Sequence, residues 1–460
     1  MPSSILLQNA TVIVPSSRAG DDAVSLREHS LLIEGNTITR IAPHADVRAP
    51  SADTEIIDCR GKIVSPGFVD THHHLWQTQL KGRHADHSLV EYMTSGNMQC
   101  SNYTADDIFW GQLGGCLASI DAGTTTVVDH AHMSYSPAHE DRETMPETSY
   151  LPLFNHPVEN ALSATIFSGI RSVFGFTPTM KVKSWDPPFT LDQDILPAWV
   201  FETFDKLAQR GPFGDGRVHL GFALDLFFLP KEMILSIFDR VTKAGVKTIT
   251  AHYLHGQDRV TNGPRAARLF PRRHEGPMLV GRRLPLQQFL RHDHADASWV
   301  AICPRHPKRS ADPERRNETP IVKISGSVRD VFRLATIQGA KAVRMHDQIG
   351  SLVEGKRADI VVFDALSPGM VCAAEHDPIA AIVLHASIAD IETVIVDGVI
   401  RKRGGKLAKV EVEESIAGVN KKEVVWTDVA DQLVRSRREI QERIEKIDLD
   451  KALEAFLKMF

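Results

Sequence analysis

One stretch restricts this chain's fold more than any other: Ser65-Pro66-Gly67-Phe68-Val69-Asp70-Thr71-His72-His73-His74-Leu75. Ile63 and Val64 ahead of it, with Phe68 and Val69 inside it, read as a buried strand. Pro66-Gly67 is its one turn signal, and the strand ends in histidines. On an extended backbone, residues two apart point the same way, so His72 and His74 share a face and His73 takes the other. Two imidazoles side by side at a strand end can hold a divalent metal. The plain alternative is a surface run of histidines, but such runs rarely follow an apolar strand so directly.

A chain of 460 residues has room for one large domain and a smaller one. Its apolar content of 42% and charged content of 24% are those of an ordinary globular protein. A net charge of -5 and a pI near 6.5 give no reason to propose nucleic acid or membrane partners. The cysteines, Cys59, Cys100, Cys116, Cys303 and Cys372, are scattered and lack CxxC spacing. That pattern points to a reducing compartment rather than a disulfide framework. Met1 to Val14 has neither a basic leader nor a long apolar core, and no stretch is long enough to span a bilayer. The expected location is the cytoplasm.

Residues 1–64 read as short strands at Ile5–Leu7, Thr11–Val14, Leu31–Glu34, Thr37–Ile41 and Glu55–Asp58. Their partners lie far downstream, in Asp359–Asp364 and Thr393–Ile400. Residues 1–64 and 352–410 are therefore expected to form one β-sandwich flanking a central domain at 65–351. There, Gly123–Asp129, Gly169–Phe176, Val218–Leu224 and Val246–His252 follow the first strand as four more strand-like segments. Helical patterns at Ile108–Ser119, Val158–Ser168 and Lys231–Lys243 alternate with them, the mark of an α/β domain with a parallel sheet. The fifth strand also ends in a histidine, His252; a capping or surface role is the alternative for it. His130 and His132, after the second strand, are read as substrate contacts, as supports behind the metal-holding residues, or as part of a solvated loop.

These segments resemble the amidohydrolase superfamily, most closely its cytosine-deaminase-like and chlorohydrolase-like branch. Pro66–His74 is similar to the PGFVD-x-H-x-H first-strand signature, Gly123–Asp129 to the GTTT second strand, and Gly355–Ile360 to the GKxAD stretch that opens the C-terminal strands. Arg329–Arg344 looks like the last barrel helix. The resemblance implies a (β/α)8 TIM-like barrel of roughly 250 residues carrying the small sandwich. It implies that His72, His74 and His252 bind one divalent ion, zinc or iron; His132, at the same rim, is the candidate contact for a small-molecule substrate. It also implies the chemistry, in which a metal lowers the pKa of bound water towards about 7 and the resulting hydroxide attacks an sp² carbon. Deamination of a heterocycle or opening of a cyclic amide, at carbon–nitrogen bonds outside peptides, fits that scheme. An eighth-strand Asp is the proton carrier in that family; here the catalytic residue is left unassigned.

Two segments depart from the pattern. Glu140–Pro157 carries three prolines and no apolar period, and reads as a lid-like insertion or as sequence foreign to the mature product. Residues 255–320 lack the strand–helix alternation that strands six to eight require, so the barrel reads as incomplete there. Twelve arginines between His255 and Arg316 face a single lysine, Lys308. Gly281–Phe289 permits codons whose one-base shift spells Gly-Val-Asp-Cys-His-Ser-Asn-Asn, similar to the family's eighth-strand motif. A frameshifted or mis-spliced product is one reading of the segment, and a divergent segment is the other. The first function expected is thus a metal-dependent C–N hydrolase. The second is a catalytically dead protein of the same fold that lacks the eighth-strand Asp. Nucleic-acid binding by the arginines is the third and weakest. Residues 411–460 place Val429, Leu433, Ile440, Ile444, Leu453, Phe456 and Leu457 at near-helical spacing, an amphipathic tail suited to core packing or to a homo-oligomer.

Overall fold

The computed structural model describes residues 4–16, 22–133, 157–252, 327–413 and 421–459 in full, and 278–282 as backbone. The chain opens with β1 (Ser4–Pro15), a single strand where two short ones are expected. Asn9 takes φ +65°, its N–H donates to Ser30 Oγ at 3.0 Å, and the pairing with β2 (Ala23–Glu34) slips beside it. That is a β-bulge, which bends a strand without ending it. β3 (Thr37–Pro43) completes a meander, and β4 (Glu55–Asp58) and β5 (Lys62–Pro66) lie parallel to β1.

One residue separates β5 from β6 (Phe68–His73), the first barrel strand. That residue is Gly67, where a Cβ would sit 2.1 Å from Thr125 Oγ1. α1 (Leu89–Ser95) and α2 (Ala105–Asp121) follow, the latter opened by a Thr104–Asp107 capping box. The barrel continues as β7 (Thr124–Ala131), α3 (Pro157–Ser168) and β8 (Arg171–Phe176). After a short hairpin, β9 (Val182–Ser184) with β10 (Thr190–Leu191), come α4 (Ala198–Arg210), β11 (Val218–Ala223), α5 (Lys231–Lys243) and β12 (Thr248–His252).

A sixth parallel strand, β13 (Met278–Arg282), pairs in register with Thr248–His252. The sequence reading found no strand in this segment, because a three-residue apolar run before arginines has no period to detect. The parallel order is β13-β12-β11-β8-β7-β6, and β13 also comes within 8 Å of β6, so the sheet is barrel-like and nearly closed. The remainder of 255–320, including the codon-shift reading of Gly281–Phe289 beyond Arg282, lies outside the described residues, as does the 140–157 insertion apart from Pro157. α6 (Val328–Arg333) runs through a π-turn at Leu334–Gln338 into a last helical turn, Gly339–Ala342.

The chain then returns to the terminal sheet with β14 (Ile360–Asp364), α7 (Val371–His376), α8 (Pro378–Leu384), β15 (Ile391–Val396), β16 (Val399–Arg403) and β17 (Lys406–Leu407). Both termini thus build one nine-stranded sheet, with β14 paired to β5. Alternation divides its side chains. Ile5, Leu7, Val64, Ile360 and Val362 form one apolar layer, while Ile13, Ile63, Val361 and Phe363 pack towards Phe109, Leu113 and Leu117 of α2. Each fully buried aliphatic or Phe side chain of this kind stabilises by roughly 1.5–3 kcal/mol. At the junction with the barrel, buried Arg171 of β8 donates to Asp359 at 2.8 and 3.0 Å and to Asp397 at 2.8 Å.

The tail forms α9 (Trp426–Ile444) and α10 (Leu449–Leu457). Val429, Ile440 and Ile444 are buried, whereas Leu457 at the end of the pattern is 52% exposed. Ser436 Oγ donates to Asp107 Oδ1 at 2.6 Å and accepts from Gln79 Nε2 at 3.0 Å. Among the described residues, no helix is long and apolar enough to cross a membrane.

Candidate metal centre

The C-terminal ends of β6, β7, β11 and β12 converge on one point. Two residues below it on β7, Val128 joins Val173, Val343, Met345 and Ile349 in an apolar layer. On β6 the pairing with β7 slips between Asp70 and His73, and Asp70 closes the irregularity. It accepts the His72 N–H at 3.0 Å and holds His73 Nδ1 at 3.0 Å. His73 therefore turns away from the centre, while His72 and His74 both reach it. His74 already lies past the strand, where the backbone turns into Leu75–Leu80. Helix α2 can lie against that turn because Gly115 has no Cβ, which would sit 2.3 Å from the Leu75 carbonyl oxygen.

His252 Nε2 is the common neighbour of the other two imidazoles. His72 Nε2 is 3.0 Å and His74 Nε2 3.2 Å from His252 Nε2. Imidazole nitrogens sharing one tetrahedral ion at about 2.0–2.1 Å stand roughly 3.3 Å apart, so the spacing suits a metal. Contacts at Nδ1 fix the tautomers to match. His74 Nδ1 donates to the His130 carbonyl at 2.9 Å, and His252 Nδ1 donates to Asp225 Oδ2 at 2.9 Å. Each leaves Nε2 as the lone-pair nitrogen. His72 Nδ1 lies 3.4 Å from Thr250 Oγ1. Burial, reinforced by neighbouring imidazoles, pushes the His74 ring well below its ordinary pKa, which keeps it neutral and able to ligate.

Two further groups join the cluster. His130 is fully buried inside β7 rather than on a solvated loop. One ring nitrogen each from His72, His130 and His252 lie within 4.8 Å of one another. His130 Nε2 is 2.9 Å from Asp225 Oδ2. Asp225 also accepts the His252 backbone N–H through Oδ1 at 2.9 Å, so one carboxylate touches both rings. Burial works to raise that carboxyl, but the facing imidazoles outweigh it and hold it well below the usual range. Sequence reasoning passed over Asp225, although it stands two residues past a strand that was itself recognised. The signal was a carboxylate at the same barrel rim as the histidines.

His132 is buried as well, and burial lowers its ring to about 3. It sits 3.5 Å from Trp76 Nε1 and 3.4 Å from Gln77 Nε2, with its ring 4.6 Å from that of His74. Tyr92 Oη meets Gln77 Nε2 at 2.6 Å, extending the polar wall beside His74. His255, Asp258 and Asp293 lie outside the described residues.

The model of the amidohydrolase family matches residues 63–154 and 319–401, which carry the histidine strand and the returning sheet strands. A 5-methylthioadenosine/S-adenosylhomocysteine deaminase from Thermoanaerobacter pseudethanolicus is 23% identical over 431 residues, covering 85% of this chain and 93% of that protein. Among solved structures, the triazine hydrolase of Arthrobacter aurescens superposes with a TM-score of 0.65 at 16% identity, covering 95% and 99% of the two chains. An adenosine deaminase from Xanthomonas campestris with bound zinc superposes with a TM-score of 0.57 at 15% identity, covering 96% and 99%. The fold, the motif strands and the matched segments agree: this chain is similar to the amidohydrolase family over residues 63–154 and 319–401, and it shares the fold of the triazine hydrolase and the adenosine deaminase.

Proposed function

We propose that the chain is a metal-dependent hydrolase of carbon–nitrogen bonds outside peptides, with His72, His74 and His252 holding one divalent ion, zinc or iron. The observation that supports it is the approach of His72 Nε2 and His74 Nε2 to His252 Nε2, at 3.0 and 3.2 Å, with Nδ1 of His74 and of His252 committed to an acceptor. An ion bound there supplies Lewis acidity and brings the pKa of a coordinated water towards about 7. The chain's own residues supply the rest. Asp70 holds the backbone at His72, the His130 carbonyl aims the His74 ring, and Asp225 aims the His252 ring. His132, between Trp76 and Gln77, has its ring 4.6 Å from that of His74 and is the substrate contact in this reading. Relatives named as deaminases of methylthioadenosine and adenosine, and as a triazine hydrolase, favour an aminated nitrogen heterocycle as substrate.

The test is metal analysis of the full chain, followed by ammonia release from adenosine, 5-methylthioadenosine and an amino-triazine. One zinc or iron per chain with ammonia release supports the reading. His72→Ala, His74→Ala and His252→Ala should each lose the metal and at least about 100-fold in turnover, since each removes a ligand. A metal retained by all three variants sinks it. Stoichiometric metal without ammonia from any heterocycle supports the non-catalytic alternative.

A further inference from the structure

Asp225 lies on a different strand end from any of the three ligating histidines, yet it makes two bonds to one of them. Its Oδ1 takes the His252 backbone N–H at 2.9 Å and its Oδ2 takes the ring Nδ1–H, also at 2.9 Å. The backbone bond ties the loop after β11 to the end of β12, and the ring bond sets which way His252 points. On the far side of Oδ2, His130 Nε2 approaches to 2.9 Å, and His130 is fully buried. The carboxylate is thus clamped between two imidazoles, and the Nε2 of His130 is turned to the carboxylate. Among the described residues, neither Nδ1 nor Nε2 of His130 makes a well-directed hydrogen bond, so the approach of Nε2 to Oδ2 is a close polar contact.

We infer that Asp225 is a positioning residue that fixes the tautomer and ring orientation of His252, with His130 bracing the carboxylate from behind. A histidine ligates through one nitrogen only when the other carries the proton, and a carboxylate beside the other nitrogen enforces that state. The inference rests on the reading of His72, His74 and His252 as the metal-holding set.

Asparagine makes the sharpest test because it keeps the shape and reverses one contact. In Asp225→Asn the amide oxygen still accepts the His252 backbone N–H, and Nδ2 now faces the ring. The ring must then offer Nδ1 as acceptor and carry its proton on Nε2, pointed at the centre. Zinc affinity of the full chain, measured by competition with a chromogenic chelator, should fall roughly 10–100-fold in Asp225→Asn. Asp225→Ala, which leaves the ring free to choose, should fall no further. Far-ultraviolet circular dichroism of the metal-free chains is expected to be unchanged. Zinc affinity within about twofold of the unaltered chain in Asp225→Asn overturns the inference, since occupancy of space alone predicts that result.

Two controls separate this failure from failure of the underlying reading. If the unaltered chain binds zinc and His72→Ala abolishes binding, a neutral Asp225→Asn refutes the role of Asp225 alone. If the unaltered chain binds no zinc, or binds it regardless of His72, both readings fall. Should the Asp225 variants not fold, a long-range proton–nitrogen correlation on the metal-free unaltered chain decides. A proton on Nδ1 of His252 supports the inference, and a proton on Nε2 overturns it.

Discussion

Asp129 shows how closely the histidine turn is controlled by single atoms. Its Oδ1 accepts the Leu75 N–H at 3.2 Å, one residue past His74, and its Oδ2 accepts from Gln112 Nε2 at 2.6 Å. Burial raises its carboxyl from 3.8 to about 6. Between those values the folded chain holds a proton that the unfolded chain releases, so this group's contribution to stability declines as pH rises through the window. The slope is at most about 1.4 kcal/mol per pH unit. In Asp129→Asn the Gln112 amide can turn its unpartnered Oε1 to the new Nδ2, which removes the charge but gives up the 2.9 Å bond from Gln112 Nε2 to Thr165 Oγ1, a loss that does not vary with pH. Urea unfolding of the metal-free chains at pH 4.5 and 6.5 should show the variant gaining about 2 kcal/mol on the original across that interval. A pH-independent gap would mean that the charge of Asp129 carries no cost. At this scale the sequence was only partly legible. The alternation of residues 72 to 74 is local, as is the strand that ends at His252, so the position of each at the barrel rim could be read from its own strand. The clamp of Asp225 on His130 and His252 joins three strands, and no local pattern encodes it.

Among the elements, α9 is the one whose loss would reach the site most directly. It packs on α2 and on the turn Leu75–Leu80, through Ile440 and through the buried Ser436–Asp107–Gln79 cluster, which Arg443 closes by pairing with Asp107. Ile440 is fully buried, so Ile440→Ala should cost about 2–5 kcal/mol, read from the denaturant midpoint at unchanged slope. A loss below about 0.5 kcal/mol would place the helix outside the cooperative core. The apolar period made this helix visible in the sequence. What it packs against was not visible, because Ser436 and Arg443 look like surface residues until Asp107 is placed beneath them. β13 was missed for the opposite reason: its strand character comes from pairing with β12 and leaves almost no trace in five residues.

Across the whole molecule, the terminal sheet and the barrel are joined by charge as well as by apolar layers. Arg171 is 3% exposed and serves two carboxylates from the returning strands. Arg171→Met should therefore destabilise by about 3–5 kcal/mol, because Asp359 and Asp397 remain buried without their partner. A single unfolding transition that shifts as a whole is the expected record, whereas two separated transitions would show that the sheet and barrel melt independently. The union of the two chain ends was legible from the distant strands Asp359–Asp364 and Thr393–Ile400, whose apolar alternation had no partner nearby. The Arg171 junction was not, since an arginine opening a buried strand gives no hint of which carboxylates it will meet. The passage from β5 to β6 through Gly67 has a mechanical meaning. Lys62 to His73 runs as two strands with one residue between them, the first held in the sheet shared by both termini and the second ending in the imidazoles. With Thr125 filling the space beside Gly67, there is no room for a side chain at the crossing, so the histidine strand and the terminal sheet are coupled through a single residue.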